Sequence, residues 1–123
     1  MKCPKCQAEM EKVSVNSVEI DRCTSCQGIW FDMLEDHQLL AKAAEIDIGD
    51  ASVGAQYNLI DRIRCPVCPN TPMIRMVDNH QPHIRFESCP SCYGRFFDAG
   101  EFRDLAEFSL SDLVKDFMAQ ERR

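Results

Sequence analysis

Residues 23–32 read CTSCQGIWFD and residues 89–98 read CPSCYGRFFD: two cysteines, a glycine two places after the second, bulky residues and an aspartate, all at the same offsets. Each stretch is preceded by another cysteine pair. Sixteen residues lie between the Cys3-Cys6 pair and the Cys23-Cys26 pair, and twenty between the Cys65-Cys68 pair and the Cys89-Cys92 pair. All eight cysteines of the chain therefore lie in CxxC pairs. A CxxC turn aims both sulfurs at one point, and two such turns brought together place four thiolates at the corners of a tetrahedron, the arrangement that closes the shell of a structural Zn²⁺. A gap of 15 to 20 residues is long enough for a hairpin that returns the second pair to the first.

The chain of 123 residues fits one ordinary domain or two very small ones, and 45% hydrophobic with 28% charged residues marks it as globular. No apolar run exceeds three residues, and the start MKCPKC lacks the apolar stretch of a signal peptide, so the reading is cytoplasmic with no membrane span. Stable disulfides are disfavoured in that reducing compartment, which leaves metal binding or redox catalysis to explain the cysteines. Thioredoxin-like redox motifs need a βαβ context, and none is present. Four thiolates suit iron as well as zinc, and metal analysis separates the two.

The segment EKVSVNSVEIDR alternates Val13 and Val15 with polar neighbours, passes Asn16-Ser17 and resumes with Val18 and Ile20, a pattern of two short antiparallel strands. MIRMVDNHQPHIRFES alternates less cleanly and has a longer tip around Asp78, Asn79 and His80. Gly28 and Gly94, just past the metal turns, are placed where a positive φ is expected. Trp30-Phe31 and Phe96-Phe97 supply apolar area to each mini-core. Asp32 and Asp98 read as helix N-caps, and Glu35 and Glu101 three places later complete an aspartate version of the capping box. Each unit thus reads as a zinc ribbon followed by a helix.

CPKC, CTSCQGIWFDMLE, CPVC and CPSCYGRFFDAGE resemble two tandem copies of the transcription factor IIB-type zinc ribbon of small bacterial proteins. The resemblance covers roughly residues 1–41 and 65–106. It implies two Zn²⁺ per chain, one on Cys3, Cys6, Cys23 and Cys26 and the other on Cys65, Cys68, Cys89 and Cys92. Gln7-Ala8 and Pro69-Asn70 stand where the family has a glycine pair, and Thr24 replaces a proline, departures that bear on turn geometry.

A catalytic zinc keeps one position open for water or substrate, whereas four cysteines fill the shell, so no enzyme is expected. His80 and His83 form an H-x2-H on a polar tip, and His37 sits near the first site; solvated or packing roles are the commoner fate of such residues. Formal charge is −6, and each loaded shell of four thiolates adds about −2, taking the chain to about −10 and opposing phosphate. Locally, residues 61–103 hold six arginines against five carboxylates, with Arg75 and Arg85 on the expected hairpin as nucleic-acid contacts in an alternative reading.

Residues 45–60, EIDIGDASVGAQYNLI, read as a linker between a first ribbon plus helix at 1–44 and a second ribbon plus helix at 61–123. From Asp98 the apolar residues keep to one helical face, Leu110, Leu113, Val114, Phe117 and Met118 continuing it toward the end of the chain. This predicts a long amphipathic C-terminal helix that either packs on the first ribbon or serves as an interaction helix for a protein partner or a second copy of the chain. The fold class is small α+β. The expected function is a non-enzymatic zinc-binding module acting as a protein-interaction adaptor or scaffold, the alternative a transcription-associated nucleic-acid binder.

Overall fold

The computed structural model describes residues 1–32, 35–60, 62–78 and 83–107. Each cysteine quartet sits at the end of a hairpin. Strands β1 (Met10–Val15) and β2 (Val18–Cys23) pair antiparallel, with Val15 opposite Val18 across a two-residue turn. Asn16 and Ser17 in that turn both have left-handed φ, 51° and 67°, as the tight turn matching strand twist requires. A short β3 (Ile29–Phe31) follows the second cysteine pair. The second unit repeats the plan with β4 (Ile74–Val77), β5 (Arg85–Ser88) and β6 (Arg95–Phe97).

The two units are not beads on a string. β3 pairs with β6, Trp30 opposite Phe96, so one six-stranded sheet runs β1-β2-β3-β6-β5-β4 through both ribbons. Strand periodicity then sorts the aromatic residues by face. Ile29, Phe31 and Phe97 point to one side, into a core with Leu39, Ala43, Ile46, Ile84, Phe86 and Phe102. Trp30 and Phe96 point to the other, among the cysteines, Met10, Ile63 and Met73. Phe31 meets Phe97 edge-on at 5.7 Å and Phe102 at 4.6 Å, and Phe86 stacks on Phe97 at 5.0 Å. These rings come from both ribbons, so the core has no seam between them.

After β3 the chain forms not one helix but three short pieces: α1 (Glu35–Gln38), a 3-10 turn (Leu40–Lys42) and α2 (Ala43–Ile46). Residues 45–60 contain α3 (Ala51–Asn58), capped by the Asp50 side chain on the Ser52 N–H at 2.8 Å. Its glycine is a contact point: a Cβ on Gly54 would lie 1.8 Å from the Ala99 carbonyl oxygen. Residues 101–107 form α4, with Phe102, Leu105 and Ala106 buried. Leu110, Leu113, Val114, Phe117 and Met118, read as the interaction face of a long helix, lie outside the described residues, so the helical stretch at this end is given only for 101–107.

The capping boxes differ between repeats. Glu35 accepts the Asp32 N–H at 3.3 Å, as a capping box requires. In the second repeat Glu101 instead accepts the Arg85 N–H at 3.3 Å, at the start of β5. Asp47, remote in sequence, receives the Gly100 and Arg103 N–H groups at 2.9 and 3.0 Å and so caps α4. Asp98 is released for a different task.

Candidate metal centres

Cys3, Cys6, Cys23 and Cys26 form one cluster and Cys65, Cys68, Cys89 and Cys92 another, the sulfurs of each lying within 4.8 Å of one another. Four sulfurs at about 2.3 Å from a central Zn²⁺ would stand about 3.8 Å apart. Cys3 and Cys26 are 3.7 Å apart, Cys65 and Cys92 also 3.7 Å, and Cys6 and Cys23 3.3 Å. The donor set and spacing fit the ion.

The turns hold these sulfurs through backbone geometry. Cys23 Sγ accepts the N–H groups of Ser25 and Cys26 at 3.3 and 3.4 Å, Cys65 Sγ those of Val67 and Cys68, and Cys89 Sγ those of Ser91 and Cys92. Such donors favour the thiolate, the form that binds metal. Each turn closes by a left-handed residue: Gln7 (φ 65°), Gln27 (65°), Asn70 (60°) and Tyr93 (62°). The expectation of positive φ at Gly28 and Gly94 is therefore corrected, since the left-handed position falls one residue earlier. The glycines serve close approach instead. A Cβ on Gly28 would lie 2.3 Å from the Phe96 ring, and one on Gly94 2.2 Å from the Trp30 ring. Each metal turn is roofed by the aromatic residue of the other ribbon.

Without metal, the crowded thiols titrate unequally. The Cys26 S–H bond holds Cys3 down to about 5, while Cys26, bonded to Cys3 and buried, is pushed up. Burial pushes Cys65 up to about 12; it also opposes ionisation of Cys89, yet the N–H groups of Cys92 and Ser91 bring that thiol down to about 7. A divalent cation replaces the shared protons of such a cluster.

Between the clusters lies a polar lock absent from the sequence reading. Lys5, in the first CxxC turn, is fully buried and reaches the second ribbon, where Nζ is 2.8 Å from Glu87 and 2.7 Å from Asp98 and donates to the Tyr57 carbonyl at 3.0 Å. Asn58 donates to the same Asp98 carboxylate at 3.0 Å. Burial raises both acids above the usual carboxylate range, with Lys5 pulling the other way. No local pattern announced this triad; a lysine between two metal ligands reads as surface.

The residues of the alternative reading fare differently. Arg75 turns inward, donating to the Asn58 and Ile60 carbonyls and lying 3.4 Å from Glu87. Arg85 is exposed. His83 lies at the described end of the second hairpin's tip, whereas His80 and the side chain of His37 lie outside the described residues.

Residues 2–42 and 64–107 match the family described as transcription factor zinc-finger, the IIB-type zinc ribbon, and together span more than half of the chain. No curated protein and no solved structure matches. The two four-cysteine clusters, read with that match, assign two Zn²⁺ per chain.

Proposed function

We propose that this chain, which belongs to the transcription factor zinc-finger family, is a non-enzymatic zinc-binding module that works as a protein-interaction adaptor or scaffold. The observation that carries the reading is the closed shell. Each cluster offers four thiolates and is embedded in the fold, the first with Cys3, Cys23 and Cys26 buried, which suits a metal that holds structure. A structural Zn²⁺ contributes on the order of 10–16 kcal/mol of apparent binding free energy in finger peptides, and ribbons of this size depend on it.

Two further features favour a protein partner over nucleic acid. The loaded chain carries a formal charge of about −10, the sequence contributing −6. Arg75, one of two arginines expected on a nucleic-acid face, is engaged with carbonyls and Glu87. The apolar stripe of Leu110, Leu113, Val114, Phe117 and Met118 supplies one candidate contact, to a partner or to a second copy of the chain.

Titration of the zinc-loaded protein with random and genomic DNA fragments at physiological salt tests this. Affinity no tighter than roughly micromolar is expected, and nanomolar binding that depends on Arg85 would favour the transcription-associated nucleic-acid reading. Deleting residues 110–123 should leave both zinc sites filled and change the oligomeric state measured by light scattering or remove a co-purifying protein. Loss of metal on truncation would place that stripe within the fold.

A further inference from the structure

Between the two metal turns opens a cleft of about 620 Å³. It is built from equivalent pieces of the two repeats: Lys2-Cys3-Pro4 on one wall and Arg64-Cys65-Pro66 on the other. Pro4, Pro66 and Ile60 give part of its lining an apolar character, and Ile60 remains 40% exposed, an aliphatic surface open to a ligand. Lys2, Arg62 and Arg64 add three cations, and among the described lining residues there is no carboxylate. On a chain of net charge −6 this gathers three cations in one place.

The cations differ in how they are held. Arg64 donates to the Asn70 side chain at 3.1 Å in an exposed bond. Lys2 pairs with Glu9 at 3.4 Å, but both side chains are about two-thirds exposed, and such a pair is weak in water. Arg62 is exposed and stands in a left-handed conformation, φ 60°, an uncommon one for a side-chain-bearing residue.

We infer that this cleft binds a short acidic segment of a partner protein, with an aliphatic side chain against Ile60 and the two prolines and flanking carboxylates directed at Lys2, Arg62 and Arg64. The inference rests on the adaptor reading and specifies its partner. Charge complementarity selects the acid. A peptide is favoured over single-stranded nucleic acid because no aromatic residue among the described lining residues offers a base a stacking surface.

The test uses fluorescence anisotropy on the full zinc-loaded chain with three labelled probes: an eight-residue peptide alternating Glu and Leu, its Lys/Leu counterpart, and an oligothymidine. The Glu/Leu peptide should bind, the Lys/Leu peptide should not, and the charge reversals Lys2→Glu and Arg62→Glu together should weaken binding roughly tenfold. Zinc content and Trp30 fluorescence of the variant should match those of the unaltered chain. Arg62→Lys should retain most of the affinity. No binding of the Glu/Leu peptide, or binding indifferent to the reversals, would overturn the cleft while leaving the adaptor reading standing. Tighter binding of oligothymidine, lost on the same reversals, would overturn both.

Discussion

Trp30 and Phe96 face each other where the two ribbons join, and each ring covers the glycine of the opposite metal turn. The repeat that opens the sequence reading, cysteine pair, glycine, aromatic and aspartate, is thus completed in space by exchange. Gly28 makes room for Phe96, and Gly94 for Trp30. Both rings are fully buried.

Gly94→Ala should therefore destabilise the zinc-loaded protein by about 1–3 kcal/mol in urea denaturation, the range for overpacking a filled core. The cost is steric, because the new Cβ would meet two Trp30 ring atoms at 2.2 and 2.5 Å, while the left-handed position belongs to Tyr93. Trp30→Phe removes those ring atoms and should relieve part of the loss in a double-mutant cycle. Simple additivity of the two substitutions would mean the backbone, and not the ring, is what an alanine offends.

Much of each ribbon was legible because it is local. The eight cysteines, the hairpin through Asn16 and Ser17, and the burial of Trp30, Phe31, Phe96 and Phe97 follow from spacing and alternation over a few residues. What joins the ribbons is not local. β3 and β6 are three residues each, too short to announce a partner sixty-six positions away, and Lys5 has no sequence neighbour that hints at Glu87 or Asp98. Asp98 read as a cap because its repeat mate Asp32 precedes a helix in the same way; the capping duty passed to Asp47, and the carboxylate turned to Lys5. Residues 45–60 looked like a linker for their glycines, yet Gly49 and Gly54 are where backbone and side chains press on Ala99.

Lys5→Met should cost about 3–5 kcal/mol, the range for leaving buried charges unpaired, even though methionine preserves volume. The deficit should also depend on pH. Burial already raises Glu87 and Asp98 above their usual values, and Lys5 is among the groups that hold them down. Without it both rise further in the folded state, so the variant is closest to the unaltered chain at low pH and falls behind as pH climbs through the raised values. Denaturation of both proteins in excess zinc across pH 6 to pH 8 reads this; a deficit that is flat with pH would assign the loss to packing alone.

Glu101 offers an independent pH signature. Burial, with Asp104, Asp98 and Asp47 nearby, lifts its carboxyl from 4.5 to about 7 despite the bond from the Arg85 N–H. A carboxyl raised in the folded state binds its proton more tightly there, so its contribution is present at low pH and is lost between about 4.5 and 7. Glu101→Gln keeps an oxygen for Arg85 and does not titrate. Stability of the unaltered chain relative to this variant should fall as pH rises from 5.5 to 7.5, with zinc release at low pH cancelling because both proteins share it. Parallel curves would show that Glu101 titrates at the same pH folded and unfolded.

The zinc sites share no ligand, so ligand counting alone says that Cys26→Ser should empty the first site and leave the second untouched. The fold argues otherwise. Trp30 covers Gly94, Phe31 packs on Phe97 and Phe102, and Lys5 neutralises Glu87 and Asp98, so the second ribbon completes its core with side chains of the first. Unfolding the first ribbon withdraws Trp30 and Phe31, each worth about 1.5–3 kcal/mol of burial, from contact with the second. At about 1.4 kcal/mol per factor of ten, that predicts a loss of zinc affinity at the intact cluster on the order of a hundredfold or more. Elemental analysis should find two zinc ions in the unaltered chain, and competition with a chelator should then strip the remaining ion from Cys26→Ser at concentrations that leave the unaltered chain loaded. Trp30 is the single tryptophan, so its fluorescence reports the join directly and should be redshifted in Cys26→Ser relative to the unaltered chain. A second site of undiminished affinity in Cys26→Ser would mean that the shared sheet forms only after each ribbon has already folded on its own metal.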